Sequence, residues 1–296
     1  MTRSTAKIIP LSAVLKTTVD RIEKKYHNQP TDDSVSTGFH SLDDMTDVFR
    51  RGDLVAVLSD IPDLTTMFML SSVHSMIFRD RVSTLFVSCR HDENYVATKL
   101  LSIESGIWEG TLRDAMLNAV HRSALTASAN MLWDASLHIA AIDTLSLEEF
   151  VETLRDADSH SDSDLGPIII DGVPMYHRSD EPVLQRLREH AVGHGRPVVL
   201  SSVVTADQRD EWRFDRWFDV ILRVDQDEPF SDLIQVEILK NRHGSVGTAY
   251  LSCDRQRSLV HDIDVDRLSW VDLYTSLRTI NGRHGETLRR LGEGVQ

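Results

Sequence analysis

The amino-acid sequence predicts an α/β fold with a mainly parallel central sheet, helices on both faces and a C-terminal antiparallel hairpin. Two observations predict it. Five largely apolar runs of strand length, Leu54–Leu58, Thr84–Ser88, Leu137–Ala140, Pro167–Ile170 and Pro197–Ser201, alternate with helical patterns, as in a parallel sheet covered on both sides. After Asp219 the helical patterns stop and Val220–Val224, Leu233–Lys240 and Gly247–Ser252 follow one another, the last two joined through Asn241–Val246 as a hairpin. With 296 residues, 41% hydrophobic and 26% charged, the chain has an ordinary globular composition and can bury one large core or two small ones.

In chain order, Leu11, Val14, Leu15, Val19, Ile22 and Tyr26 recur at near-helical spacing, with Lys16, Arg21, Lys24 and Lys25 elsewhere on the cylinder. This amphipathic helix stops before the breaker cluster His27-Asn28-Gln29-Pro30, and a polar linker, Thr31–Ser34, follows. It packs on its own domain or docks elsewhere. Further helices are expected near Thr65–Arg79, Glu93–Ser105, Trp108–Ala127, Leu147–Ala157 and Glu181–Val192. Asp156–Asp164 reads as a solvated acidic connector. From Arg267 the tail holds five Arg against three Asp and Glu, and Trp270, Leu273, Tyr274, Leu277 and Ile280 keep helical spacing up to Asn281-Gly282. It reads as a terminal helix docked on the body or as a contact for a partner or nucleic acid.

Composition excludes several classes. No apolar run approaches the roughly 20 residues that span a bilayer, and the N-terminus lacks a signal-peptide core, so no membrane partner is expected. Cys89 and Cys253 are the only cysteines, which points to a reducing cytoplasm rather than a disulfide framework. A net charge of −14 argues against coating nucleic acid by bulk attraction, although a ring can be acidic outside and basic within. His190 and His194 have metal-ligand spacing but lack a recognisable third ligand, so no metal is expected.

The junction GDLVAVLSDIPDLTTMF, from Gly52 to Phe68, carries the strongest chemical signal. A strand running into a helix is where a phosphate-binding loop sits. Such a loop needs glycines, so that backbone N–H groups surround a phosphate, then Lys-Ser/Thr for charge and Mg²⁺. Between Asp53 and the helix there is neither glycine nor lysine, and Asp60 and Asp63 would repel a polyphosphate at close range.

VSTGFHSLDDMT (Val35–Thr46) followed by GDLVAV (Gly52–Val57) resembles the entry to the RecA-like motor domain of DnaB-type replicative helicases. The preceding IIPLSAVLKTTVDRIEKKYHN (Ile8–Asn28) resembles the family's linker helix, which docks on a neighbouring subunit. TLFVS (Thr84–Ser88), PIIIDG (Pro167–Gly172), RPVVLSS (Arg196–Ser202), FDVILRV (Phe218–Val224) and KNRHGSVGTAYLS (Lys240–Ser252) follow in the family's order, so the resemblance covers roughly residues 8–260. It implies a RecA-like P-loop NTPase fold and this organisation: residues 1–34 as linker and docking helix, 35–262 as the motor-type domain, 263–296 as a helical tail. The expected content is the linker and motor portion, without the primase-binding domain.

Carried over residue by residue, the resemblance places Leu64-Thr65-Thr66-Met67-Phe68 where the family has Gly-Lys-Thr-Thr-Phe. Asp63, Leu64, Thr65, Thr66 and Asp171, the last ending the Walker B strand, are then the vestiges of a nucleotide site. Thr66 could still offer a hydroxyl to Mg²⁺, and Asp171 could hold the ion through water. The family's water-activating glutamate is replaced by Arg90, and a guanidinium cannot act as a general base. Its γ-phosphate-sensing glutamine is replaced by Val203. No catalytic residue is therefore expected. Lys240 and Arg242 match the pair that reaches into the next subunit's ATP site, and equally suit a basic hairpin tip in solvent. The connections Gly172–Pro182 and Val203–Trp217 are shorter than the family's DNA-contacting loops. Arg209, Arg213 and Arg216 beside Trp212, Phe214 and Trp217 could stack on single strands, but Asp207, Asp210, Glu211 and Asp215 offset that charge.

The expected function is that of a degenerate DnaB-like protein without ATPase activity and without a cofactor. It would act in DNA replication by assembling with itself or with a replicative helicase or its loader, through Leu11, Val14, Leu15, Val19 and Ile22 and through the hairpin, with weakened DNA contact. Two alternatives stand beside it: a divergent ATP-dependent DNA helicase using ATP and Mg²⁺, and a nucleotide-free adaptor of a phage or mobile element.

Overall fold

The computed structural model describes residues 9–27, 34–45, 47–142, 153, 165–174, 181–205, 215–226 and 232–263. In chain order, α1 is Leu11–Tyr26, β1 is Ser34–Val35, α2 is His40–Asp43 and β2 is Phe49–Arg50. Then come β3 (Leu54–Ser59), α3 (Pro62–Phe78), β4 (Thr84–Ser88), α4 (Glu93–Ser105), α5 (Glu109–Arg113), α6 (Ala119–Trp133) and β5 (Leu137–Ala141). Strands β6 (Ile168–Asp171), β7 (Val198–Val203) and β8 (Val220–Asp225) complete the parallel part, with α7 (Glu181–His194) before β7. β9 (Leu233–Asn241), β10 (Gly247–Asp254) and β11 (Leu259–Asp262) close the sheet.

Nine strands lie in the order β11-β10-β9-β8-β3-β7-β6-β4-β5, parallel from β8 to β5 and antiparallel from β8 to β11. β3 is central, and all of its side chains are buried because both faces are covered. Alternation divides them: Val55 and Val57 join Phe68, Val73 and Met76 of α3 and Val96 of α4, whereas Leu54, Ala56 and Leu58 pack with Leu184, Leu187 and Ala191 of α7. Each fully buried Val, Leu, Phe or Met side chain among them contributes on the order of 1.5–3 kcal/mol.

The Thr-Gly-Phe-x-x-Leu-Asp segment has a mechanical explanation. Asp43 accepts from Thr37 N (2.9 Å) and Thr37 Oγ1 (2.8 Å), closing a loop whose Gly38, at φ +95°, lies against α3. A Cβ at Gly38 would sit 2.7 Å from the Ser75 Cβ. Phe39 then stacks on Phe68 with ring centroids 4.9 Å apart, and Leu42 is fully buried.

The structure differs from the sequence reading at several boundaries. Helix α3 begins at Pro62 rather than Thr65, with proline in the first turn, where its missing N–H costs nothing. Trp108–Ala127 is two helices rather than one: Ala115 takes φ +53°, and the Asn118 side chain caps α6 by accepting from His121 N at 2.8 Å. β11 adds a strand beyond the expected hairpin. The expected helix Leu147–Ala157 lies outside the described residues except for Thr153, and so do the acidic connector Asp156–Asp164, the tail from Arg267 and the stretch containing Arg209, Trp212, Arg213 and Phe214.

Helix α1 forms as the spacing requires, and its apolar stripe is uncovered. Leu11 is 70% exposed, Leu15 49%, Val19 48% and Ile22 60%, with Val14 also exposed.

Candidate functional site at the β3–α3 junction

Two residues, Asp60 and Ile61, connect β3 to α3. Ser59 turns the chain, its Oγ accepting from Ile61 N at 3.0 Å. Pro62 has no N–H, and Leu64 N donates to Ile61 O at 3.1 Å. Three backbone positions that could face an anion, Ile61, Pro62 and Leu64, therefore have no donor to offer. Thr65 is fully buried and its hydroxyl donates back to Pro62 O at 2.7 Å. Arg90 Nη1 donates to the same carbonyl at 3.1 Å. The Arg90 stem lies on Gly172, whose φ is +81° and where a Cβ would stand 2.1 Å from Arg90 Cδ.

Beneath that cover, Thr66 Oγ1 donates to Asp171 Oδ2 at 2.7 Å and Ser201 Oγ to Asp171 Oδ1 at 2.6 Å, while Gly172 N donates to Ser201 Oγ at 2.8 Å. Asp171 is fully buried. Burial raises its pKa above the ordinary carboxyl value, against the opposing pull of the two hydroxyl bonds. Burial, with Asp171 nearby, pushes the Cys89 thiol up to about 12, which makes it a poor nucleophile at neutral pH. Burial and then the Arg90 charge lower the His91 pKa. Val203 ends β7, half-buried, and Val204 N donates to Ser59 O at 2.8 Å.

Thus Thr65, Thr66, Arg90 and Asp171, far apart in sequence, meet at the C-terminal edge of the parallel sheet, with Asp63 in the first turn of α3 and Val203 at the adjoining strand end. Ser201 also belongs to the cluster and escaped the sequence reading, since a serine inside a strand run carries no signal of its own.

Lys240 and Arg242 lie at the other edge. Asn241 pairs with Val220, and Val220 with Val55 near the start of β3. About 3.3 Å per residue separates the two ends of β3 by roughly 15–20 Å. Lys240 Nζ donates to Asp215 O at 2.7 Å, and Arg242 Nη1 to Asp219 Oδ1 at 2.9 Å. Asp219 is 3% exposed. Burial opposes its ionisation, but bonds from Arg242, Leu54 N and Arg188 outweigh burial and hold its pKa below the ordinary value. Beside it His243 Nε2 meets Asp53 Oδ1 at 3.0 Å. Asp53, Arg188, Asp219 and His243 also went unread in the sequence; an acid directly before a buried strand, as in Asp53-Leu54 and Asp219-Val220, was the available sign. His190 and His194 stack with ring centroids 4.1 Å apart, and among the described residues no group of three metal-ligating side chains occurs. Arg216 pairs with Glu181 at 2.6 Å.

Residues 34–193, more than half of the chain, match the family model for the DnaB-like helicase C terminal domain. The chain belongs to that family. Its fold agrees: it superposes on a solved ATPase domain with a TM-score of 0.74 at 16% identity, covering 87% of this chain and all of the other. A DnaB-like replicative helicase, from a structure that reports its interactions with primase, gives 0.73 at 16% identity, covering 88% of this chain and 69% of that one. The replicative DNA helicase DnaB of Treponema pallidum (strain Nichols) is 24% identical over 251 residues, 79% of this chain and 57% of the relative. The chain thus spans just over half the length of that relative. As a DnaB-like domain, its sheet is the RecA-like P-loop NTPase frame. No helix among the described residues is long and apolar enough to cross a membrane.

Proposed function

We propose that this chain is a catalytically silent DnaB-like domain that acts in DNA replication by assembling with itself or with a replicative helicase. The observation that carries the reading is the wound-up β3–α3 junction. Leu64 and Thr65 replace the glycine and lysine, the Thr65 hydroxyl is turned back onto Pro62, and Arg90 lies across that carbonyl. A missing charged donor in a dry phosphate site weakens transition-state stabilisation by about 3–4 kcal/mol. Replacing a glutamate base by arginine removes the group that would activate water. If Mg²⁺ and ATP entered, Thr66 and Asp171 are the residues that would hold the ion, but Asp171 must ionise against its burial and no lysine meets the phosphates.

Assembly is supported at two places. The stripe Leu11, Val14, Leu15, Val19 and Ile22 is apolar and uncovered, and Val120, Met131 and Trp133 of α6 are also exposed, so one copy offers both an apolar helix and an apolar surface. Arg242 stands at the sheet edge opposite the junction, so the phosphates it could serve belong to another chain. In this reading residues 1–34 act as the docking segment and 35–262 as the RecA-like body.

A second reading, a divergent ATP-dependent helicase, draws on the retained Thr66–Asp171 pair. ATP hydrolysis by the purified chain, abolished by Asp171→Ala, would establish it and exclude silence. Size measurement alone and with a replicative helicase tests assembly: a higher-order or mixed complex is expected, and a monomer in both conditions refutes that part.

A further inference from the structure

Helix α4 is tied down at both ends, and the two ties differ in kind. In its C-terminal half Lys99, with a side chain 6% exposed, donates from Nζ to Glu109 Oε2 at 3.0 Å and to Ser258 Oγ at 2.9 Å. Ser258 Oγ donates to the same Glu109 oxygen at 2.6 Å. Glu109 N donates to Gln256 O at 2.8 Å, and Arg257 Nε to Gly106 O at 2.9 Å. Here α4, α5 and the β10–β11 turn form one knot, and opening it would leave a buried charge unpaired.

From Lys99 a spine runs back along one face of the helix, a turn at a time. Lys99 Nζ lies 4.8 Å from the centroid of the Tyr95 ring, and Tyr95 stacks on His91 with ring centroids 3.8 Å apart. Next to His91, Arg90 Nη1 reaches across to Pro62 O at 3.1 Å. That carbonyl already accepts from the Thr65 hydroxyl, so the arginine is not needed to satisfy it. What the bond fixes is Cys89–Asp92, the connection from β4 to α4, which the Arg90 stem also closes against Gly172. With the far end knotted, the freedom left to α4 is a swing of its N-terminal end. Helix α6 packs on α4 and carries the exposed Val120, Met131 and Trp133, so such a swing would carry that apolar face with it.

We propose that Arg90 is a positioning residue for the α6 face: by cross-linking the β4–α4 connection to the β3–α3 junction, it holds α4, and α6 upon it, in the orientation that a second copy of this chain meets. Arg90 does not touch that second copy. The cross-link concerns this chain alone; its consequence for a second copy rests on the assembly reading above.

Two variants of the full chain separate the bond from the bulk. Arg90→Met keeps an unbranched stem against Gly172 and removes the donor, whereas Arg90→Lys keeps a donor. The amides of His91 and Tyr95 are bonded to Ser88 Oγ and Asp92 Oδ1. In native-state hydrogen exchange Arg90→Met should speed their exchange by roughly tenfold and leave β3 unchanged, and Arg90→Lys should restore most of the protection. Unchanged exchange, or faster exchange spread evenly through β3, overturns the cross-link. Spin labels on Val120→Cys and Val192→Cys, both at exposed positions, report where α6 stands on the body. Their distance distribution should broaden in Arg90→Met and narrow again in Arg90→Lys; a distribution that does not respond overturns the positioning of α6. In light scattering, self-assembly of Arg90→Met should need a severalfold higher concentration than that of the parent, with Arg90→Lys close to the parent. A loosened α6 with unchanged assembly overturns the positioning role. A parent chain that stays monomeric refutes the assembly reading, and exchange and label distances then decide the cross-link by themselves.

Discussion

Replacing Thr66 with valine removes one hydroxyl and preserves the shape of the side chain. Thr66 is 1% exposed, and its hydroxyl is the donor that the structure gives Asp171 Oδ2, at 2.7 Å. An orphaned buried acceptor costs about 1–3 kcal/mol. For a domain of this size each kcal/mol moves the thermal midpoint by about 2–4 °C, so Thr66→Val should lower it by roughly 2–12 °C. The cost should be smaller at acid pH. Loss of a donor raises the Asp171 pKa further, and the penalty falls on the ionised form that donors stabilise. The decisive comparison is thermal unfolding with and without millimolar Mg-ATP. A silent junction gives no ligand-induced stabilisation of the parent chain, and the same Thr66→Val shift in both buffers. A working pocket with ligand at 100 times its Kd would gain about 2.7 kcal/mol, which the valine should remove with the Mg²⁺ ligand. Stabilisation of the parent chain by Mg-ATP that vanishes in Thr66→Val refutes the silent reading.

Four further outcomes are expected. Gly172→Ala should destabilise the fold by about 1–3 kcal/mol through its φ of +81° and the clash with Arg90; Arg90→Ala should relieve the clash and not the backbone strain, which a urea double-mutant cycle resolves. Asp171→Asn should flatten stability against pH. The folded pKa of Asp171 is raised, so its contribution is fully present below the unfolded pKa and lost as pH climbs through the folded one, and urea midpoints of the asparagine variant should lack that fall. Val19→Asp with Ile22→Asp should reduce assembly in light scattering while leaving the thermal midpoint of the body unchanged, because those side chains are 48% and 60% exposed. Arg90→Ala alone should not create ATP binding, as judged by equilibrium dialysis; nucleotide bound by that variant would make Arg90 a gate rather than a fixture of a lost site.

The parallel sheet was legible because its inner strands are buried on both faces, which leaves largely continuous apolar runs such as Leu54–Leu58 and Val198–Leu200. The start of α3 differs from the periodicity by three residues because Pro62 and Asp63 carry no apolar period, although proline followed by an acid is also a helix-start signal. The break between α5 and α6 rests on a left-handed alanine, Ala115, which carries none of the punctuation that glycine supplies. In the site, Thr65, Thr66, Arg90 and Asp171 could be named from a motif frame. Their bonds could not, because Thr66–Asp171 and Ser201–Asp171 join elements 105 and 30 residues apart. Arg188 and Asp219, 31 residues apart, were invisible for the same reason.

The two edges of the sheet treat charge in opposite ways, and this bears on which edge can act. At the C-terminal edge Asp171 is surrounded by hydroxyls, and burial favours its neutral form. A Mg²⁺-phosphate site needs that carboxylate ionised and a cation opposite it. Here the nearest guanidinium, on Arg90, bonds a carbonyl instead of facing an open cavity. Occupying the junction would require unwinding a turn begun by proline, breaking two bonds to Pro62 O and ionising Asp171, with no lysine to offset those costs. At the N-terminal edge Asp219 is held ionised by two guanidiniums, one of them mostly exposed, so a cation is available there without leaving a buried charge unpaired. Charge that can leave its partner cheaply is charge that can be offered to another molecule, and on this domain it lies at the edge opposite the β3–α3 junction.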